Sequence, residues 1–119
     1  MYRQVAEFEI QDKYICHCSG ACTAEEAFPG IHAQGAYAIS IHLLFPISSK
    51  YNCWRELAGA FFCVEGDAQA VEVFVPLLRG LGLQVQTISP ESKAQYHLSC
   101  ALASNFVCAL VQRSAELLG

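Results

Sequence analysis

Charge is what this sequence has least of. Only 15% of its 119 residues are Asp, Glu, Lys or Arg, against about 25% in typical soluble domains. So lean a surface implies that part of it is covered by another subunit or by further chain. The seven basic residues stand singly and the net charge is −4. No patch exists to neutralise phosphates, which argues against nucleic acid as a partner. Residues 1–12 carry Arg3, Glu7, Glu9 and Asp12 and no apolar run, so they do not read as a secretory signal. The most apolar stretch, residues 98–111, falls short of the ~20 residues of a membrane span and contains Ser99, Ser104 and Asn105. No membrane partner is expected. There is no G-x-G-x-x-G, no G-x-x-x-x-G-K and no G-x-S-x-G, so no phosphate-cradling loop and no nucleophile elbow. Gly80-Leu81-Gly82 reads as a helix stop. Repeats and low-complexity tracts are absent too.

Hydrophobic residues make up 54% of the chain, ample for one modest core and incompatible with disorder. The seven cysteines are odd in number and follow no signal peptide. They read as reduced thiols in a cytoplasmic protein.

Residues 2–8 look like the tail of an amphipathic helix. Residues 13–18 form a short apolar run stopped by Ser19-Gly20, a strand and a tight loop. Thr23 is an N-cap before Glu25 and Glu26, starting a short helix that Pro29-Gly30 ends. Residues 36–45 are β-branched and aromatic, a second strand. Residues 47–59 are a connection with a helical turn near 54–57. Residues 60–65 predict a third strand. Gly66-Asp67 caps a helix over 68–79, with a kink at Pro76. Residues 83–88 alternate as a fourth strand. Ser89-Pro90-Glu91 opens a long C-terminal helix. The alternation predicts an α/β sheet, at least partly parallel. A boundary at Ser89 separates the sheet elements (1–89) from the long helix (90–119).

That helix is apolar on nearly all sides and therefore predicted to be buried. On a wheel at ~100° per residue, Lys93, His97, Cys100 and Ser104 share a stripe, with Asn105 at its edge. Buried polar groups need partners, so the stripe predicts a polar pocket. The plainer readings are a Lys93 that snorkels to solvent and a Ser104 that bonds back to its own helix. Ser19 and Gly20 follow a strand end, where α/β sheets place ligands. Ser40 and His42 share a strand face near a second such end, although spacing alone favours a satisfied core histidine. Cys16-His17-Cys18 with Cys22 invites a metal, but strand alternation divides the ligands. Cys16 and Cys18 then read as small core residues and no metal is expected.

The segments 17–20, 35–42 and 64–67, with Lys93, Tyr96-His97 and Ala103-Ser104-Asn105, together resemble one family. Its members are classed as oxidoreductases without an established substrate. They join a Rossmann-like domain to a C-terminal helical domain of unknown function, and are distant relatives of pyrroline-5-carboxylate reductase, 6-phosphogluconate dehydrogenase and the deazaflavin-dependent NADP reductases. The resemblance covers nearly the whole chain. It implies an internal fragment: the C-terminal half of a Rossmann-like, mostly parallel sheet, then the first long helix of an all-α domain. The glycine loop for the pyrophosphate of NADP or NAD would precede Met1. Leu43 stands where the family usually has proline, which leaves the geometry after His42 open.

The resemblance implies hydride transfer to or from a small metabolite. Lys93 or His97 would move the proton; Ser104, Asn105 and His42 would bind substrate; His17, Ser19, Gly20 and Ser40 would border the cofactor. A homodimer through the C-terminal helical region is expected. The alternatives are a module that binds a nucleotide or metabolite or dimerises without chemistry, and a truncated chain inactive by itself.

Overall fold

The computed structural model describes residues 2–5, 7–47, 49–51 and 53–119. Met1 and Ala6, in the expected N-terminal helix, and Ser48 and Asn52, in the expected connection, lie outside the described residues. The elements are α1 (Tyr2–Val5), β1 (Tyr14–His17), α2 (Ala24–Ala27), β2 (Tyr37–Leu44), β3 (Phe61–Gly66), α3 (Ala68–Gly80), β4 (Gln84–Thr87), α4 (Lys93–Ala101) and α5 (Val107–Leu118). Short 3-10 turns occupy Ile31–Gln34, Trp54–Leu57 and Pro90–Ser92. A π-helical turn, Leu102–Phe106, joins α4 to α5.

The strands lie in the order β1-β2-β3-β4. β1/β2 and β3/β4 pair parallel, and β2/β3 pair antiparallel. The sheet is thus mixed and mostly parallel, followed by one long helix, as the alternation of elements predicts. Central strands need cover on both faces, and β2 and β3 have it. Ala38 faces a cluster with Ile10, Ala24, Phe28 and Ile31 on the α2 side. Its neighbour Ile39 faces Val64, Ala70 and Val75 on the α3 side. Strand alternation divides one apolar run between two half-cores.

The caps show which local signals acted. Thr23 closes a full capping box with Glu26. Asp67 stands at the N-cap of α3, yet its side chain makes no cap bond. It turns instead to accept the Ala38 N–H at 2.6 Å, which fastens the end of β3 to β2. Gly66 is needed beside it. Its φ is +148°, and a Cβ there would lie 2.5 Å from the Ala38 carbonyl oxygen.

The long helix corrects one expectation. Lys93 is buried, but every residue from Leu102 to Gly119 is exposed. The reason is geometric. Pro90–Leu118 is one helix of 29 residues, about 43 Å long at ~1.5 Å per residue. Only its first turns lie over the sheet, and the rest runs past the edge. The chain accordingly extends 59 Å with a radius of gyration of 17.0 Å, against about 13–14 Å for a compact domain of this size. By length and composition alone this helix is apolar enough to cross a bilayer. A helix covered by protein meets the same criterion, and Lys93 ties this one to the sheet.

Candidate functional site

Strand register builds the site. His17 on β1 pairs with Ser40 on β2, and Ser40 pairs with Glu65 on β3. One polar row therefore crosses three strands. All three side chains are buried. Each needs partners, because an unpaired buried polar group is costly. Glu65 accepts the Ala24 N–H at the start of α2, at 3.0 Å to Oε2. It also pairs with Lys93 Nζ at 3.1 Å. Lys93 donates to Ser40 Oγ as well, and Ser40 Oγ donates to the Ser19 carbonyl at 3.3 Å. Lys93 is 2% exposed. The snorkelling reading is thus overturned: Lys93 points into the sheet because Glu65 awaits it there.

His17 completes the row less well. Its Nδ1 accepts the Ser19 N–H at 3.1 Å, which places the hydrogen of the neutral ring on Nε2. That Nε2 is buried and has no partner among the described residues. The ring packs edge-on to Phe28. Burial, and then the Lys93 charge, hold the imidazole below its ordinary pKa; the Thr23 backbone and Glu65 oppose this weakly. Burial, His97 and Lys93 lower His42 likewise. A group with a depressed folded pKa favours unfolding once the unfolded form protonates. Stability should therefore be full above about pH 6.5 and fall as pH drops below it. Urea midpoints measured across that range should decline, and His17→Asn should flatten the decline. An unchanged slope in the variant would remove His17 from the account.

Two residues further along β2, on the same face, His42 pairs with Cys63 of β3. Helix α4 covers this second row with Tyr96 and His97, one turn beyond Lys93. Tyr96 Oη lies 3.0 Å from His42 Nδ1. The His42 and His97 rings stand 6.2 Å apart at 76°. Gly20 makes the room. A Cβ on it would lie 2.6 Å from His97 Nδ1 and 2.7 Å from His42 Nε2. The missing side chain is thus replaced by two imidazole edges.

β1 ends at His17 while β2 continues to Leu44. Beyond that step opens a cleft of about 380 Å³ between the end of β2 and the long helix. It is lined by His42 through Pro46 on one side, and by His97, Cys100, Ala101, Ser104 and Asn105 on the other. Four of the expected site residues, His42, His97, Ser104 and Asn105, therefore meet here. Lys93, Ser40 and His17 do not line the cleft; they lie in the buried row. Ser19 and Gly20 form the turn that joins the two regions. Ser104 Oγ donates to the Cys100 carbonyl at 2.7 Å, the plainer reading for a helix serine, while still facing the cleft.

Two residues entered the sequence reading only within the resembling segments, with no role given to them. Glu65 lies in a run of aromatic and apolar residues, and a lone acid there called for a buried cation. Tyr96 precedes His97, but nothing in its spacing marked it as a partner for His42. Cys16 and Cys18 are exposed, not core. Helix α3 reaches Tyr14 through Phe74 and leaves the end of this edge strand open. Among the described residues no group of three or more His, Cys, Asp or Glu is placed to hold a metal ion.

The fold is shared with a solved structure, protein TM1727 from Thermotoga maritima. The TM-score is 0.70 at 26% identity, over 99% of this chain and 46% of that one. This chain thus spans about half the length of that relative. No curated protein matches it. A family model described as a domain of unknown function, DUF2520, matches residues 60–119, which run from the start of β3 through the whole C-terminal helix. The chain belongs to the DUF2520 family.

Proposed function

We infer that this chain carries part of an NAD(P)-dependent oxidoreductase that moves a hydride to or from a small metabolite. The observation that carries the reading is the cleft. It gathers two imidazoles, a hydroxyl and an amide beside the turn that follows β1, at the carboxyl end of a parallel strand pair. In α/β sheets that end is where ligands bind.

The residues present fit the outer part of a dinucleotide. The Ser19-Gly20 backbone turns at the end of β1, where His17 Nδ1 accepts the Ser19 N–H. Ser19 and Gly20 would border the group, while the buried His17 and Ser40 hold their turn in place; the glycine loop for its pyrophosphate is not among these residues. When bound, a nicotinamide supplies or takes the hydride. The side chains of this chain do the remainder. His97, which lines the cleft, would exchange the proton. His42, Ser104 and Asn105 face the substrate. Lys93 and Glu65 fix Ser40, and with it the Ser19 turn.

NADPH binding should be measured by calorimetry, on this chain and on a form extended to the length of its relative. Binding by the extended form supports the reading; none by either form sinks it. In the extended form, His97→Ala should lower turnover by about a hundredfold or more while leaving NADPH affinity unchanged. Wild-type turnover in that variant would take the proton-transfer role from His97.

A second reading rests on α5. Leu110, Val111, Leu117 and Leu118 are all more than 60% exposed. Such a face favours association, so a homodimer through this helix accompanies either function, with or without chemistry.

A further inference from the structure

We propose that Tyr96 holds His42 as its Nε2–H tautomer, so that His42 donates a hydrogen bond to the carbonyl oxygen of a neutral ligand in the cleft. The inference deepens the oxidoreductase reading. It rests on that reading for the fate of the carbonyl, but not for its binding.

The partner of one imidazole nitrogen decides which nitrogen carries the hydrogen. His42 Nδ1 and Tyr96 Oη are 3.0 Å apart. The phenol keeps its proton at neutral pH and must place it somewhere. Cys63 and Cys100 are its other neighbours, and sulfur is a weak acceptor. The imidazole nitrogen is the better base, so the O–H donates to Nδ1. Burial and the two thiols push the Tyr96 pKa upward, which keeps the phenol a donor. Burial, His97 and Lys93 hold His42 below its ordinary value, which keeps the ring neutral. A neutral ring that accepts at Nδ1 carries its hydrogen at Nε2.

That Nε2 makes no hydrogen bond among the described residues. The ring cannot easily turn to find one. Tyr96 meets it edge-on at 5.6 Å, His97 flanks it, and Gly20 lies beside the Nε2–Cε1 edge itself, with no side chain to close the approach to Nε2. Water can satisfy the donor while the cleft is open. A ligand that excludes the water must offer an acceptor in its place.

The lining selects the kind of acceptor. It contains no Lys, Arg, Asp or Glu. Lys93, one turn along the same helix, is already paired with Glu65. A carboxylate or phosphate entering the cleft would lose water without gaining a fixed countercharge. Leu43, Leu44, Phe45 and Pro46 instead offer apolar contact. A neutral ketone or aldehyde fits both conditions. A neutral imidazole can polarise such a carbonyl without being an acid, as in other enzymes where the ring is kept uncharged.

The test begins with the unmodified chain. Long-range proton–nitrogen NMR on nitrogen-labelled protein at neutral pH should show His42 as the Nε2–H tautomer. Tyr96→Phe should convert it to a mixture or to Nδ1–H. Carbonyl-labelled cyclohexanone is the ligand probe. Its carbonyl resonance should move downfield and saturate with the wild type. His42→Phe, which has no donor, should abolish the shift and weaken binding about fivefold, the worth of one neutral hydrogen bond. Pyruvate should give no saturable response. Circular dichroism should show both variants folded; should either fail, the wild-type tautomer still decides. An Nδ1–H tautomer in the wild type overturns the proposal. So does an equal carbonyl shift in His42→Phe, no saturable shift with cyclohexanone, or a preference for pyruvate. The NADPH measurement is separate. A carbonyl shift without NADPH binding by the extended form keeps this inference and sinks the oxidoreductase reading; the reverse sinks this inference alone.

Discussion

Replacing Lys93 by Met should destabilise the chain by about 3–5 kcal/mol, the usual cost of stranding one partner of a buried ion pair. Lys93 and Glu65 are 2% and 3% exposed, so neither can turn to water if left alone. Among the described residues, loss of Lys93 leaves Glu65 with the Ala24 N–H alone and takes from Ser40 its charged donor. The double change Lys93→Met with Glu65→Gln should recover much of the loss, because no bare charge then remains inside. Urea unfolding of the wild type, both single variants and the double variant forms a cycle that isolates the pair. A single-variant loss below about 1 kcal/mol would mean that water reaches this row and that the ion pair is not what anchors the helix. The cycle also matters for any activity assay. A fall in turnover on changing Lys93 is to be compared with the fall in folded protein before Lys93 is given a chemical role.

Gly66→Ala should be nearly as damaging, by about 3 kcal/mol or more. Two faults combine there. The backbone sits at φ +148°, which side-chain-bearing residues avoid. The added methyl would also lie 2.5 Å from the Ala38 carbonyl oxygen and 2.8 Å from Ile39 Cα. Both are backbone atoms in the middle of a strand and cannot step aside. The shift would pull Asp67 off the Ala38 N–H and loosen the β2–β3 pairing that sets the polar rows. Gly80→Ala is the control, since a Cβ there meets nothing within 4 Å. A melting temperature equal in the two variants would refute the close packing at Gly66.

Local signals carried most of the fold. The Thr23 box, the Gly35 and Pro46 boundaries of β2, and Ser89-Pro90-Glu91 each act within a few residues, so their outcome is visible in the chain. The pairing of β2 with β3 is not local. Residues 36–45 and 60–65 are equally apolar whichever way they run, and only the connection decides that they meet antiparallel. The site divides along the same line. Helical spacing put His97, Ser104 and Asn105 together because one helix carries them. Glu65 and Tyr96 are partners of residues 28 and 54 positions away, set by how α4 lies over the sheet. No wheel drawn on one segment displays that. The expectation of a buried helix failed for a related reason. Composition records that a surface is apolar; it does not record how far the sheet beneath it extends.

The π turn at Leu102–Phe106 gives the long helix two phases. A π turn spends one more residue on a revolution than α geometry does. Upstream, Lys93, Tyr96 and His97 keep step with the strands below them. Downstream, the same periodicity continues about 100° out of step, so the stripe that would have followed the sheet is turned away from it. Helix α5 therefore addresses a direction that α4 does not. Deleting one residue within 102–106 would bring the two halves back into register and re-aim the whole apolar face of α5 while leaving its composition nearly intact.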